Sequence, residues 1–131
     1  MYEVLVPVDQ DEERAKHQAE YVASLPGAGD EVRATVLYVT PREEYSDGPR
    51  DFEEVDSAVA AADELEGAGV AVERAAAVGT VSREIIDHAD EIDADEIVMG
   101  GRKRSGVAKV LVGSSTQDVI YSTERPVVVT G

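Results

Sequence analysis

Short runs of β-branched residues alternate with longer amphipathic stretches along this chain, and the alternation limits the folds that it can adopt. Strand patterns cover residues 2–8, 31–39, 69–78, 96–99 and 125–130. Helical spacing of apolar residues covers residues 9–25, 52–66, 80–89 and 115–123. Strict alternation of this kind predicts a parallel sheet, because parallel neighbours need a crossover connection, usually a helix.

The predicted connections imply a doubly wound α/β architecture, with helices on both faces of a five-stranded sheet. The chain of 131 residues has the length of one ordinary domain, so we expect residues 1–131 to form a single unit. In such sheets ligands bind beyond the carboxyl ends of the strands, where the strand order reverses. We therefore expect a functional site at that edge.

The chain is strongly acidic, with 28 Asp and Glu residues against 12 Lys and Arg residues and a formal net charge of −16. Such a surface repels nucleic acid and anionic membranes at long range, so neither is an expected partner. Only three of the basic residues are lysines. Strong acidity with scarce lysine indicates a halophilic source, where concentrated salt screens self-repulsion. An ordinary acidic cytosolic protein is the alternative.

Cysteine is absent, which excludes disulfides, thiolate metal sites and cysteine nucleophiles. No apolar run approaches the length that crosses a bilayer, and the opening residues lack the basic and apolar regions of a signal peptide. We therefore expect a cytoplasmic protein.

Residues 97–117 contain no acid, in contrast to the rest of the chain. The basic residues within this segment are Arg102, Lys103, Arg104 and Lys109. Gly100 directly follows a predicted strand, and Gly113 precedes Ser114 at the start of a helix. Glycine allows close backbone approach, and a helix N-terminus offers free N–H groups to an anion. The segment predicts a phosphate site; loop glycines with basic residues that balance an acidic surface are the alternative.

The same segment resembles the fingerprint of the universal stress protein family: Gly-x-x-Gly, a spacer, then Gly-Ser or Gly-Thr before a helix and a final strand entered through proline. Gly100 matches the first glycine, and Gly113 with Ser114 matches the final pair. The opening "VLVPVD", the preceding "IVM" and the following "RPVVV" also match. The resemblance extends over essentially the whole chain. It implies an adenine nucleotide α-hydrolase-like fold with four helices and sheet order 3-2-1-4-5.

One branch of this family binds ATP, so the resemblance implies a site for ATP, ADP or AMP. A Mg²⁺ ion that accompanies the nucleotide is compatible with such a site. The implied nucleotide-binding residues are Pro7, Asp9, Val39, Met99, Gly100, Lys103, Gly113, Ser114, Ser115 and Thr116. A carboxylate at Asp9 can accept hydrogen bonds from ribose hydroxyls or the adenine amino group. The alternative role for Asp9 is the N-cap of the first helix.

Lys103 stands where the family fingerprint has its second glycine. A side chain there either blocks the approach of the backbone to the phosphates or brings an ammonium group to them. We expect that binding is retained, because a basic segment in so acidic a chain suits an anionic ligand.

The resemblance implies a stress-response protein that binds an adenine nucleotide as a regulatory ligand. Hydrolysis is expected to be slow at most, because no general base or arginine finger can be assigned; no catalytic or metal-ligating residue is predicted. The alternative function is a dimeric interaction module from the branch of the family that does not bind nucleotide. A homodimer through the C-terminal strand is expected in either case, since an exposed edge strand invites pairing.

Overall fold

The computed structural model describes residues 1–103 and 110–131, without the side chains of residues 45–47, 102, 103, 110 and 111. The strands in these residues are β1 (Tyr2–Val8), β2 (Val32–Pro41), β3 (Ala71–Gly79), β4 (Glu96–Gly100), β5 (Arg102–Lys103), β6 (Val110–Leu111) and β7 (Val127–Thr130). The α-helices are α1 (Glu12–Ala23), α2 (Asp56–Gly67), α3 (Val81–Glu91) and α4 (Ser114–Ser122).

The five long strands form one parallel sheet in the order β3-β2-β1-β4-β7. This confirms the predicted order 3-2-1-4-5, in which the long strands alone are numbered. The short strands β5 and β6 form a separate antiparallel pair, which the sequence did not predict. Its glycine-rich surroundings carry no alternation of apolar and polar residues that would have indicated a hairpin.

The sheet reverses its strand order between β1 and β4, and pairing between these two strands is short. Strand β1 lies beside β2 from the pair Tyr2 and Val32 to the pair Val8 and Tyr38. Against β4, by contrast, β1 is paired only at Val4–Leu5. The end of this ladder leaves a gap at the carboxyl edge of the sheet, which is where a doubly wound fold binds ligands.

Helices cover both faces of the sheet because successive strand residues point to opposite sides. Val4 and Val6 of β1 belong to the core beneath α1 and α2, whereas Leu5 belongs to the core beneath α3 and α4. The buried positions of α1 include Ala15, Ala19 and Val22, at helical spacing. Small residues on this face allow α1 to pack close to its neighbours.

The second predicted helix begins later than expected. Residues Phe52–Glu54 form a short 3-10 turn, and α2 starts at Asp56. Val55 is extended, with φ −105° and ψ 103°, which interrupts the helix while both Phe52 and Val55 remain buried. The left-handed turn after α2 is made by Gly69, with φ +86°.

Within the described ranges, no helix combines the length and apolar character needed to cross a membrane.

Candidate functional site

A pocket of about 700 Å³ opens at the carboxyl ends of β1, β2 and β4, beside the point where the strand order reverses. It brings together nine of the ten residues predicted for the site: Pro7, Asp9, Val39, Met99, Gly100, Gly113, Ser114, Ser115 and Thr116. These residues are far apart in sequence, and they meet because parallel strands end at one edge of the sheet.

The tenth predicted residue is Lys103. Its backbone belongs to β5, but its side chain lies outside the part of the chain that the structure describes. The effect of this lysine on phosphate binding therefore stays a prediction.

One part of the pocket wall is apolar. Its members come from β2, α3 and β4, and they are Leu37, Val39, Val81, Ile85 and Met99. Four of these side chains belong to the buried core beneath α3 and α4, and Val81 packs against that core. Core packing therefore sets their positions. A surface of this kind can hold a flat heteroaromatic ring.

The N-terminus of α4 forms another part of the wall. Gly113 is the N-cap residue, its backbone is extended with φ −75° and ψ 172°, and no side chain caps the helix there. A Cβ atom placed on Gly113 would meet no heavy atom within 4 Å. The first turn carries no acidic residue. Unpaired N–H groups, the positive end of the helix dipole and nearby hydroxyls suit an anion at this position.

Asp9 is not the N-cap of α1, so that alternative was wrong. Asp11 caps the helix, and its Oδ1 atom accepts a hydrogen bond of 2.9 Å from the Arg14 N–H. The Asp9 carboxylate instead accepts from the Asp11 N–H at 2.9 Å and from Arg14 Nε at 3.0 Å. Its side chain remains 56% exposed. Asp9 thus shapes the turn before α1 and still presents acceptor oxygens to the pocket.

Two longer-range hydrogen bonds hold the turn between β1 and α1 in place. The Ser57 hydroxyl of α2 donates to the Asp9 carbonyl oxygen. Gln10 Nε2 donates to the Tyr38 hydroxyl of β2 at 3.1 Å. Because the turn is tied to α2 and to β2, Asp9 is held in position before a ligand arrives.

Sequence reasoning missed two α1 side chains in the pocket wall, Arg14 and Gln18. Arg14 is only 19% exposed and forms an ion pair of 2.9 Å with Asp9. Gln18 is 1% exposed, and its Nε2 atom donates to Pro7 O at 2.6 Å and to Val98 O at 2.9 Å. Its sequence signal is a glutamine on the apolar face of α1, where an aliphatic residue is the usual choice.

A side chain at Gly100 would crowd two side chains of α1. A Cβ atom at this position would lie 2.9 Å from Gln18 Oε1 and 3.3 Å from Arg14 Cδ. The absence of a side chain therefore allows α1 to approach the end of β4. This internal contact supplies a reason for glycine that is independent of any ligand.

The pocket is more acidic than the acid-free segment suggested. Among the described lining residues, Asp9, Asp11 and Glu44 are acidic and Arg14 is basic. The carboxylates come from the turn after β1 and from the segment after β2, which only the fold brings beside α4. An anionic ligand must therefore be held by Arg14, by the N-terminus of α4 or by the basic segment.

The sheet order and the pocket at its reversal point define a doubly wound α/β fold with an open cavity at the carboxyl edge of the sheet. The chain belongs to the universal stress protein family, whose family model matches residues 1–131.

Relatives in this family include archaeal proteins. The chain is 35% identical over 66 residues to universal stress protein MJ0577 of Methanocaldococcus jannaschii, a match that spans 50% of this chain and only 41% of that protein. A universal stress protein from Archaeoglobus fulgidus shares the fold with a TM-score of 0.77 and 27% identity, over 100% of this chain and 99% of that chain. A structure from the same organism in complex with dAMP has a TM-score of 0.73 and 23% identity, over 100% of this chain and 98% of that one.

Proposed function

We propose that this protein binds an adenine nucleotide as a regulatory ligand in a stress response. ATP is the first candidate, and ADP and AMP are the alternatives. The observation that carries the proposal is one pocket of about 700 Å³ in which an apolar wall and an uncapped helix N-terminus occur together. The volume falls within the range of small-molecule and cofactor sites. The dAMP complex of the Archaeoglobus fulgidus relative supports the same class of ligand.

In this proposal each part of the wall serves one part of the nucleotide. The adenine ring packs on the apolar wall beside Val39 and Met99, and the phosphates lie at the N-terminus of α4 beside Gly113 and Ser114. Asp9 accepts hydrogen bonds from donors on the ribose or the base. Lys103 adds an ammonium group to the phosphate end.

An Mg²⁺ ion enters the proposal only as the ion that accompanies ATP. Across residues 1–103 and 110–131, no group of His, Cys, Asp or Glu side chains has the arrangement of a metal site. The phosphate oxygens and water would therefore supply most of the Mg²⁺ ligands, as is usual for this ion. We assign no catalytic residue and propose that hydrolysis is slow at most.

The test is isothermal titration of ATP, ADP and AMP into the wild-type protein and the Gly113→Val variant, in concentrated KCl. Valine fits the extended backbone of Gly113 and meets no neighbouring atom, so the variant should fold. Its side chain would add bulk to the pocket wall at the start of α4. We expect binding at least roughly tenfold weaker, as for steric overpacking of about 1–3 kcal/mol.

The matched control is Gly67→Val at the end of α2, where an added Cβ also meets nothing within 4 Å. This variant should bind like the wild type. Absence of heat with all three nucleotides in the wild-type protein would contradict the proposal and favour the interaction-module alternative.

We also propose that the protein is a homodimer that pairs through β7. This strand is at the edge of the sheet, and its residues are half-buried. The preceding helix α4 exposes Ile120 and Tyr121, which are 41% and 82% exposed. Apolar side chains beside an open strand edge suit a two-fold interface.

A further proposal concerns the solvent: we infer that the protein is adapted to concentrated salt. Its net charge of −16 is spread over a surface on which several carboxylates share one arginine. Arg74, for example, forms ion pairs of 2.8–3.0 Å with Glu53, Asp63 and Glu66. Screening by salt lowers the repulsion between such carboxylates.

A further inference from the structure

Gln18 holds a carboxamide group in the gap between β1 and β4. Its nitrogen donates to Pro7 O at 2.6 Å and to Val98 O at 2.9 Å. Both partners are carbonyl oxygens, which only accept, so the orientation of the amide is determined: the nitrogen faces the strands. The oxygen atom Oε1 must therefore point elsewhere.

Oε1 is directed to the pocket side of Gly100. It lies 2.9 Å from the position that a Gly100 Cβ would take, and Gln18 is part of the pocket wall. Among the described residues, none donates a hydrogen bond to this oxygen, although the side chain as a whole is only 1% exposed. Oε1 is not one of the fully buried atoms that lack a partner, so it is open to the pocket, where a ligand donor can take the place of water.

A second acceptor borders the same stretch of the pocket. Arg14 Cδ lies 3.3 Å from the same Cβ position at Gly100, and the Arg14 guanidinium contacts the half-exposed Asp9 carboxylate. Gln18 and Arg14 thus both border Gly100, and Asp9, which contacts Arg14, is a second side chain here that offers oxygen atoms. A ligand group that contacts Gln18 Oε1 must donate a hydrogen bond, which a phosphate oxygen cannot do at neutral pH.

We propose that Gln18 is a specificity-determining residue whose Oε1 atom accepts a hydrogen bond from a ribose hydroxyl of the bound nucleotide. This assignment rests on the proposed nucleotide-binding function. An adenine nucleotide has two kinds of donor, the amino group and the sugar hydroxyls. The amino group belongs to the ring that packs on the apolar wall, whereas Gln18 adjoins Gly100 and the polar side chains of α1. The pocket therefore distinguishes ribonucleotides from deoxyribonucleotides.

The first experiment needs no variant: ATP, 2′-deoxy-ATP, 3′-deoxy-ATP and inosine triphosphate are titrated into the wild-type protein. We expect one of the two deoxy compounds to bind about threefold to tenfold more weakly than ATP, the effect of one neutral hydrogen bond. Equal affinity for ATP and both deoxy compounds would overturn the assignment and leave the proposed function intact. No binding of any compound would overturn both.

The second experiment repeats the series with Gln18→Met, which keeps an unbranched side chain of similar length and has no carbonyl acceptor. The ratio of the dissociation constants of deoxy-ATP and ATP should fall to about one. A variant that weakens the binding of both nucleotides equally leaves this ratio unchanged, so the ratio reports only the contact with the sugar hydroxyl. Gln117→Met is the matched control, since Gln117 is exposed on α4 outside the pocket wall. A ratio unchanged by Gln18→Met, or a changed ratio of ATP to inosine triphosphate instead, would refute the role in sugar recognition.

Discussion

The Arg14 guanidinium lies 2.9 Å from a carboxylate oxygen of Asp9, so the pocket wall contains an ion pair before any ligand binds. This pair joins the first turn of α1 to the end of β1. Because it lies beside Gly100, it also sets the charge at one end of the pocket.

Removal of the Arg14 charge should weaken binding in proportion to the charge of the ligand. In Arg14→Met, the carboxylates of Asp9, Asp11 and Glu44 have no described cation beside them in the wall. We expect ATP to bind roughly threefold to tenfold more weakly, since a partly exposed charge contributes on the order of 1 kcal/mol, while adenosine changes little. Titration calorimetry with both ligands measures the difference.

Arg33→Met is the control for this charge change. Arg33 pairs with Glu3 at 2.8 Å on an exposed surface outside the pocket. An equal loss of ATP affinity in both variants would mean that Arg14 acts only through the net charge of the protein.

The hydrogen bond between Tyr2 and Glu96 should make the stability of the protein depend on pH in the alkaline range. In this bond the Tyr2 hydroxyl donates to Glu96 Oε2 at 3.0 Å. Burial and the Glu96 carboxylate raise the pKa of Tyr2 from 10.0 to about 12. The folded state therefore holds this proton more tightly than the unfolded state does. The stability that Tyr2 contributes is complete below about pH 10 and is lost as the pH rises through about 12.

Absorbance titration of tyrosinate measures this directly. The wild-type protein should show a late phase that Tyr2→Phe reduces and that Glu96→Gln moves to lower pH, because the anion is removed. Burial and Glu96 also raise the pKa of Tyr21, so part of the late phase should remain in Tyr2→Phe. A titration curve without a late phase would contradict this prediction.

Pairing of two copies through β7 should depend on the N–H group of Val129. Ile97 N–H donates to Pro126 O, and Gly101 N–H donates to Thr130 O, so the even-numbered residues of β7 face β4. Val129 therefore directs its N–H to the open edge. In sedimentation experiments Val129→Pro should be a monomer with an unchanged fold, whereas the wild type is a dimer. A monomeric wild type in concentrated KCl would rule out this interface.

Added salt should stabilise the protein because its carboxylates repel one another. With a net charge of −16, thermal unfolding should move to higher temperature as KCl increases. The Debye length falls from about 10 Å at about 0.1 M salt to about 3 Å at about 1 M, so most screening is complete by then. Continued stabilisation beyond that concentration would support adaptation to salt. A plateau below it would favour an ordinary acidic protein.

Local patterns in the sequence were sufficient to predict the five long strands, the helices between them and the edge at which the pocket opens. The period of the apolar residues reports which face of each element is buried, and strict alternation of strands and helices leaves few topologies. The glycine and serine positions at the pocket also followed from the sequence, through the family fingerprint. The short pair β5 and β6 did not, because a ladder of two residues leaves no periodic signal.

The chemistry of the pocket wall, by contrast, depended on the tertiary structure. Asp11 rather than Asp9 caps α1, because the Asp11 carboxylate is the one that accepts from the Arg14 N–H. Gln18 meets Val98 across a separation of 80 residues, and Gly100 is glycine partly because α1 lies against it. The sequence by itself determined the order of the elements and the edge that carries the site, because both follow from local periodicity. Only the packing of α1 over the gap between β1 and β4 decided which polar atoms face a ligand, since those contacts join residues that no local pattern relates.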